Sequence, residues 1–429
     1  MELADNSVKE PAQIICIDDN EEALKWRIRL IGLAKHSLII CSHDFRADNS
    51  GKDIICALLN AAQRGVKVFL LADGFRGCLS LRKEPCMHAL SGHENVQIRI
   101  YNQVLFHRLW KANYRMHDKY IICDDNIYLL GGRNTNDLFL GSYQTRQNTD
   151  RDILVYYRDP SDNSSLHELR NYFDNVWQMR CSRPFRSFPF RENHRKTVSA
   201  AEELKKRYSG LCSRYHHFLS NTGWISDAIE ADSITLLYNP SHNKNKEPVL
   251  WNTICHCIRS GKHICIQTPY IICSKQMYQN LHDLTDEGIR IDLITNSVST
   301  GVNPFGSADY MSHRQKILDT GVNIYECSSS HPLHTKTIMI DETKCLSGSF
   351  NLDMRSAYLD TELMLLIECR ELNRQLTAQA QKLKDESLFI RSNGTCVRGA
   401  SCHPKELSCC KRILIRFLRL LDYQFKYLF

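Results

Sequence analysis

His-x-Lys-x4-Asp occurs twice in this chain, each time followed by a glycine turn ending in asparagine. The first copy is His117, Lys119 and Asp124, then Gly131-Gly132-Arg133-Asn134. The second is His334, Lys336 and Asp341, then Gly348-Ser349-Phe350-Asn351. The spacing agrees throughout: two residues from His to Lys, five from Lys to Asp, ten from Asp to Asn. Two imidazoles with two ammonium groups suit the cleavage and re-formation of a phosphodiester. One neutral histidine attacks phosphorus while a protonated one delivers a proton to the departing oxygen. Lys119, Lys336, Asn134 and Asn351 can hold the phosphoryl oxygens as negative charge grows on them, so no metal or other cofactor is expected.

The elements that position these groups follow from the pattern around them. On extended chain, residues two apart share a face, so each histidine points the same way as its lysine. The residues after each lysine, Ile121-Ile122-Cys123 and Ile338-Met339-Ile340, are apolar without alternation, as in strands buried on both faces. The Gly-Gly and Gly-Ser pairs allow backbone to pass close to a bound anion. Asp124 and Asp341 complete the motif and count with its catalytic set. Their odd offset from the lysines turns them away, so they read more as structural anchors than as chemical groups.

The duplication extends beyond the motifs. Strands at His36–Cys41 and His263–Gln267 are each followed by a helix, at residues 51–64 and 274–287. Two similar strands come next, Arg64–Leu71 and Glu287–Ile294, then a helix and a short strand before each His-x-Lys. This alternation predicts an α/β unit with a largely parallel sheet, made twice. Halves packed face to face would bring both motifs to one cleft. The expected division is residues 1–185, residues 196–387 and a tail at 388–429. The join at 180–194 is basic, proline-containing and aperiodic. Residues 388–410 read as Cys-rich loop. From Lys411 onward, Arg412, Arg416 and Arg419 would share one face of a helix with apolar residues around the rest. Such a helix either lies in a membrane interface or packs on the core with its arginines extended.

The chain resembles the phospholipase D superfamily, which carries this duplicated signature. The stretch Arg115-Met116-His117-Asp118-Lys119 with Leu130–Asn134 and Asp137 looks most like a bacterial cardiolipin synthase, as does Arg355 through Leu359-Asp360-Thr361-Glu362. The resemblance covers most of residues 20–370. It implies two α/β/α halves with mixed, largely parallel sheets and a site at their interface. It also implies a phosphohistidine intermediate, leaning toward His117 as nucleophile and His334 as acid. In the family an acidic residue on a later strand orients each histidine. Glu362 fits that role in the second half and Asp152 in the first, with Asp150 as the fallback in phase with it. The implied substrate is a glycerophospholipid at a membrane surface, cleaved by water or transferred to an alcohol. The alternative is a phosphodiesterase acting on single-stranded nucleic acid. The basic, aromatic segment His107–Arg115 would suit either.

Composition agrees without choosing. A net charge of +7 suits any polyanionic partner, and 43% hydrophobic residues in 429 excludes a disordered chain. The N-terminus shows no charged-then-apolar pattern and no run of 18 apolar residues occurs, so a secretory signal and a spanning helix are not expected. The 19 cysteines are then expected reduced, in a cytosolic setting. Neither Cys255-His256-Cys257 nor the tail set of Cys396, Cys402, His403, Cys409 and Cys410 has the Cys-x2-Cys spacing of a structural zinc site. Cys409-Cys410 could accept a lipid chain.

Overall fold

The computed structural model describes residues 11–75, 81–103, 113–185, 193–240 and 247–425. It divides into two compact units. One holds the chain through Gln147 and Arg151–Leu236; the other holds Asn148–Asp150 and Leu237–Phe429. Residues 196–236 therefore belong to the first unit, not to a second half beginning after 180–194. The helix Asn193–Arg214 explains this. Its Leu204 and Leu211 are buried in the first unit's core, and Arg207 Nε meets the buried Asp53 at 2.6 Å.

The first unit's sheet is built from β1 (Ala12–Ile17), β2 (Ser37–Ser42), β3 (Lys67–Asp73), β4 (Val96–Tyr101), β5 (Tyr120–Cys123), β6 (Ile127–Gly131), β7 (Asp152–Tyr156), β8 (Ser182–Pro184) and β9 (Ile229–Ala231). Their order is β8-β4-β3-β2-β5-β6-β7-β1-β9. The second sheet uses β10 (Ser233–Tyr238), β11 (His263–Gln267), β13 (Arg290–Asn296), β14 (Asn323–Cys327), β15 (Thr337–Ile340), β16 (Lys344–Gly348), β18 (Leu363–Glu368), β19 (Ser387–Ile390) and β20 (Cys396–Arg398). It runs β10-β18-β16-β15-β11-β13-β14-β19-β20. A short pair, β12 (Ile271–Ile272) with β17 (Leu352–Asp353), lies apart from it.

The central six strands repeat. β4-β3-β2-β5-β6-β7 in one unit corresponds to β14-β13-β11-β15-β16-β18 in the other. Both sheets are mixed. Among the central six strands of each sheet, parallel pairing is found in β2–β3–β4 and β11–β13–β14, whose members are joined by helical crossovers. The remaining central pairs are antiparallel, and for β5–β6 and β15–β16 the tight turn between the strands permits nothing else. Every residue of β5, β6 and β15 is buried, as their unbroken apolar sequence requires.

Local chemistry sets the helix ends. Asp48 and Ser274 cap the helices Asn49–Gln63 and Lys275–Asp286 by accepting the amides of Gly51 and Met277. Gly65 and Gly288, at φ of 95° and 85°, then turn the chain into β3 and β13. The tail departs from the loop reading. β19 and β20 form a hairpin on the sheet edge, and a helix runs from Cys409 to Phe425. Among the described residues no helix is long and apolar enough to cross a membrane. Cys255 and Cys257 are buried on the helix Val249–Ile258, packed as small apolar side chains.

Candidate active site

The His-x-Lys segments lie just ahead of their strands, not within them, since β5 begins at Tyr120 and β15 at Thr337. Side-chain alternation still holds. In the first unit Asp118 points away from His117 and Lys119 and accepts the buried Tyr172 hydroxyl at 2.8 Å.

The approach to His117 is pinned from β3. The carboxylate of Asp73, fully buried at the end of that strand, accepts the Met116 amide at 2.9 Å and Arg115 Nη1 at 3.2 Å. Arg115 also donates to the Asn102 carbonyl. His43 Nδ1 donates to the Met116 carbonyl at 2.8 Å, which fixes its proton on that nitrogen because a carbonyl only accepts. The His43 ring stands edge-on to His117 with centroids 4.8 Å apart. The buried Lys119 ammonium turns back to the His117 carbonyl. Asn134 Oδ1 accepts the Asp44 amide at 3.2 Å.

The second unit repeats the plan with different residues. Asn296, at the end of β13, stands where Asp73 stands. It accepts the Leu333 amide at 2.8 Å and donates to the Leu333 and Pro269 carbonyls. His334 donates its amide to the Thr149 carbonyl at 2.8 Å, and its Nδ1 lies 2.6 Å from Asp150 Oδ2. A carboxylate beside Nδ1 holds the ring proton there and leaves Nε2 for chemistry. Lys336 Nζ sits 2.5 Å from the same Nδ1 and 3.5 Å from Asp150. Burial pushes this ammonium below the ordinary lysine range, while Asp150 and Glu362 pull it back up. Asn351 Nδ2 donates to the Tyr270 hydroxyl at 3.1 Å, while its buried Oδ1 has no hydrogen-bond partner among the described residues.

The family described as "Cardiolipin synthase, PLD-like domain" matches residues 28–177 and 254–384, well over half of the chain. The chain belongs to the phospholipase D superfamily. It is 24% identical over 393 residues to cardiolipin synthase C of Escherichia coli K12, covering 83% of this chain and 81% of that one. It is 26% identical over 400 residues to an uncharacterized protein of Helicobacter pylori J99, covering 82% and 76%. In fold it is similar to phosphatidylserine synthase of Haemophilus influenzae Rd KW20, with a TM-score of 0.66 at 16% identity over 98% and 97% of the two chains.

Against the superfamily pattern, the assignment of the orienting carboxylates needs correction. Asp152 does not orient His117. Its Oδ2 takes Arg27 Nη1 at 2.9 Å and Arg133 Nη1 at 3.2 Å in a fully buried ion cluster. Asp150, the fallback, is the carboxylate on a motif histidine, and that histidine is His334. Register explains the pairing. Asp152 lies opposite Gly131 and Met364 opposite Gly348, so Asp150 and Glu362 occupy equivalent positions. Glu362, fully buried, accepts the hydroxyls of Ser349 and Ser356.

Asp124 and Asp341 are anchors, which removes them from the chemical set. Asp124 accepts the amides of Lys35, His36 and Ser37; Asp341 accepts those of Lys262 and His263. Each adopts positive φ, 48° and 45°, at the hairpin turn after its strand. Sequence reading missed Asp73, Asn296 and His43. The first two had a signal, since both end matching strands at matching positions. The segment His107–Arg115 lies largely outside the described residues, as do residues 186–192 of the join at 180–194.

Proposed function

We propose that this superfamily member cleaves a glycerophospholipid phosphodiester through a phosphohistidine and passes the phosphatidyl group to water or to an alcohol, as in cardiolipin synthesis. The observation that carries this is the His334–Lys336–Asp150 cluster, with the matching His117–Lys119 pair in the other copy of the motif.

In the first step Nε2 of one neutral histidine forms a bond to phosphorus. The bond from phosphorus to the headgroup oxygen breaks, and the other histidine, protonated, gives that oxygen its proton. In the second step this now neutral histidine takes a proton from water or a lipid hydroxyl. The oxygen so activated attacks phosphorus and releases the first histidine. Lys119, Lys336 and the amides of Asn134 and Asn351 are assigned to the phosphoryl oxygens. We assign the acid to His334, because Asp150 favours its charged form. We assign the nucleophile to His117, the remaining motif histidine.

The test is a product assay on phosphatidylglycerol vesicles, run beside single-stranded DNA. Release of glycerol with phosphatidic acid, or formation of cardiolipin, is expected. Cleavage of DNA with no lipid product would replace the reading by a nuclease.

A further inference from the structure

The C-terminal helix Cys409–Phe425 is only half used by the fold. One seam, Ile415 and Leu418, is buried against Ala308 of the helix Pro304–Leu318. Lys411 Nζ reaches the Ser299 carbonyl at 3.0 Å and Arg419 Nε the Ser312 hydroxyl at 3.2 Å. At about 100° per residue, Ile413, Phe417 and Leu420 fall on the opposite side of this helix. They are 68%, 57% and 83% exposed, and Leu414 beside them is 45% exposed. Arg412, Arg416 and Arg419, all exposed, fall together on one flank between the seam and the apolar side. The segment thus packs on the core and keeps an apolar face in solvent.

We propose that this outer face docks on an anionic lipid surface. Ile413, Phe417 and Leu420 enter the headgroup–acyl boundary and the arginine flank meets the lipid phosphates. A helix lying in the interface needs both an apolar face and cations beside it. A second copy of this chain fits the face poorly. Antiparallel pairing of the same patch would set arginine stripe against arginine stripe, and in either direction four side chains offer less area than a stable dimer buries. The proposal goes beyond the phosphodiester chemistry, because binding can be measured without turnover.

The experiment is sedimentation of the full chain with vesicles of phosphatidylcholine alone and of phosphatidylcholine with phosphatidylglycerol. Wild type is expected to sediment with the anionic vesicles and to be released by high salt. Phe417→Ser with Leu420→Ser is expected to weaken binding at least about tenfold. Arg412→Gln with Arg416→Gln is expected to cost about fivefold per arginine, a second readout should the apolar variant fold poorly. The melting temperature and activity on a dispersed short-chain lipid should stay unchanged in both. Three results would each overturn the proposal: equal sedimentation with neutral and anionic vesicles, variants that sediment like wild type, or a wild-type dimer that the variants dissociate.

Discussion

At the scale of the residue, the proposal depends on two imidazoles with different neighbours. His117→Asn and His334→Asn should each lower kcat by about 10³-fold or more without changing the melting temperature. Ample turnover in either would end the two-histidine scheme. Asp150→Asn keeps an acceptor on His334 Nδ1 but removes the charge that favours the imidazolium. It should lower kcat by about 10²–10⁴-fold. The pH–rate profile should be bell-shaped, with one neutral and one charged histidine. In the Asp150→Asn variant the basic limb should move to lower pH; an unmoved limb would make Asp150 merely structural. The histidines and lysines were legible because the motif repeats. The choice between Asp150 and Asp152 was not. It turns on which residue lies opposite Gly131, and on Arg27 and Arg133, which are remote in sequence from Asp152 and engage it.

At the scale of the element, glycines let the site strands pair. A Cβ at Gly348 would collide with the Leu363 carbonyl on β18, and one at Gly131 with the Arg151 carbonyl ahead of β7. Gly348→Ala should cost several kcal/mol, of order 1–3 for overpacking plus a displaced strand, read as a lowered urea midpoint. The helix Met354–Tyr358 offers a pH test. Its cap Asp353 is buried, and burial pushes its carboxyl up to about 7, with Glu362 and Asp360 adding to the effect and the Ser356 amide and Arg355 opposing it. A raised carboxyl stabilises the fold fully below the unfolded value and loses that contribution as pH climbs through the folded one. Asp353→Asn keeps the cap and should stabilise the protein at pH 8, on the order of 4 kcal/mol. Near pH 4 the gain should vanish; a gain that is constant with pH would contradict the buried ionisation. The strands around this helix were legible from their apolar runs. β20 was not, since all three of its residues are exposed and carry no apolar period to read.

At the scale of the whole molecule, two α/β units with the same strand order were legible from the repeated strand–helix succession, but their borders were not. The basic stretch at 180–194 has linker composition, yet the following helix returns to the first unit's core through Leu204 and Leu211. The second unit is also not one continuous stretch of chain. Asn148–Asp150 belong to it, with Thr149 bridged to Leu333 and Asp150 on His334. A fragment starting at Leu237 would therefore keep His334, Lys336, Asn351 and Glu362 while losing the carboxylate that orients its histidine. Deleting the first copy of the motif would strip the second of the carboxylate on His334, so three residues tie the one stretch of chain to the other.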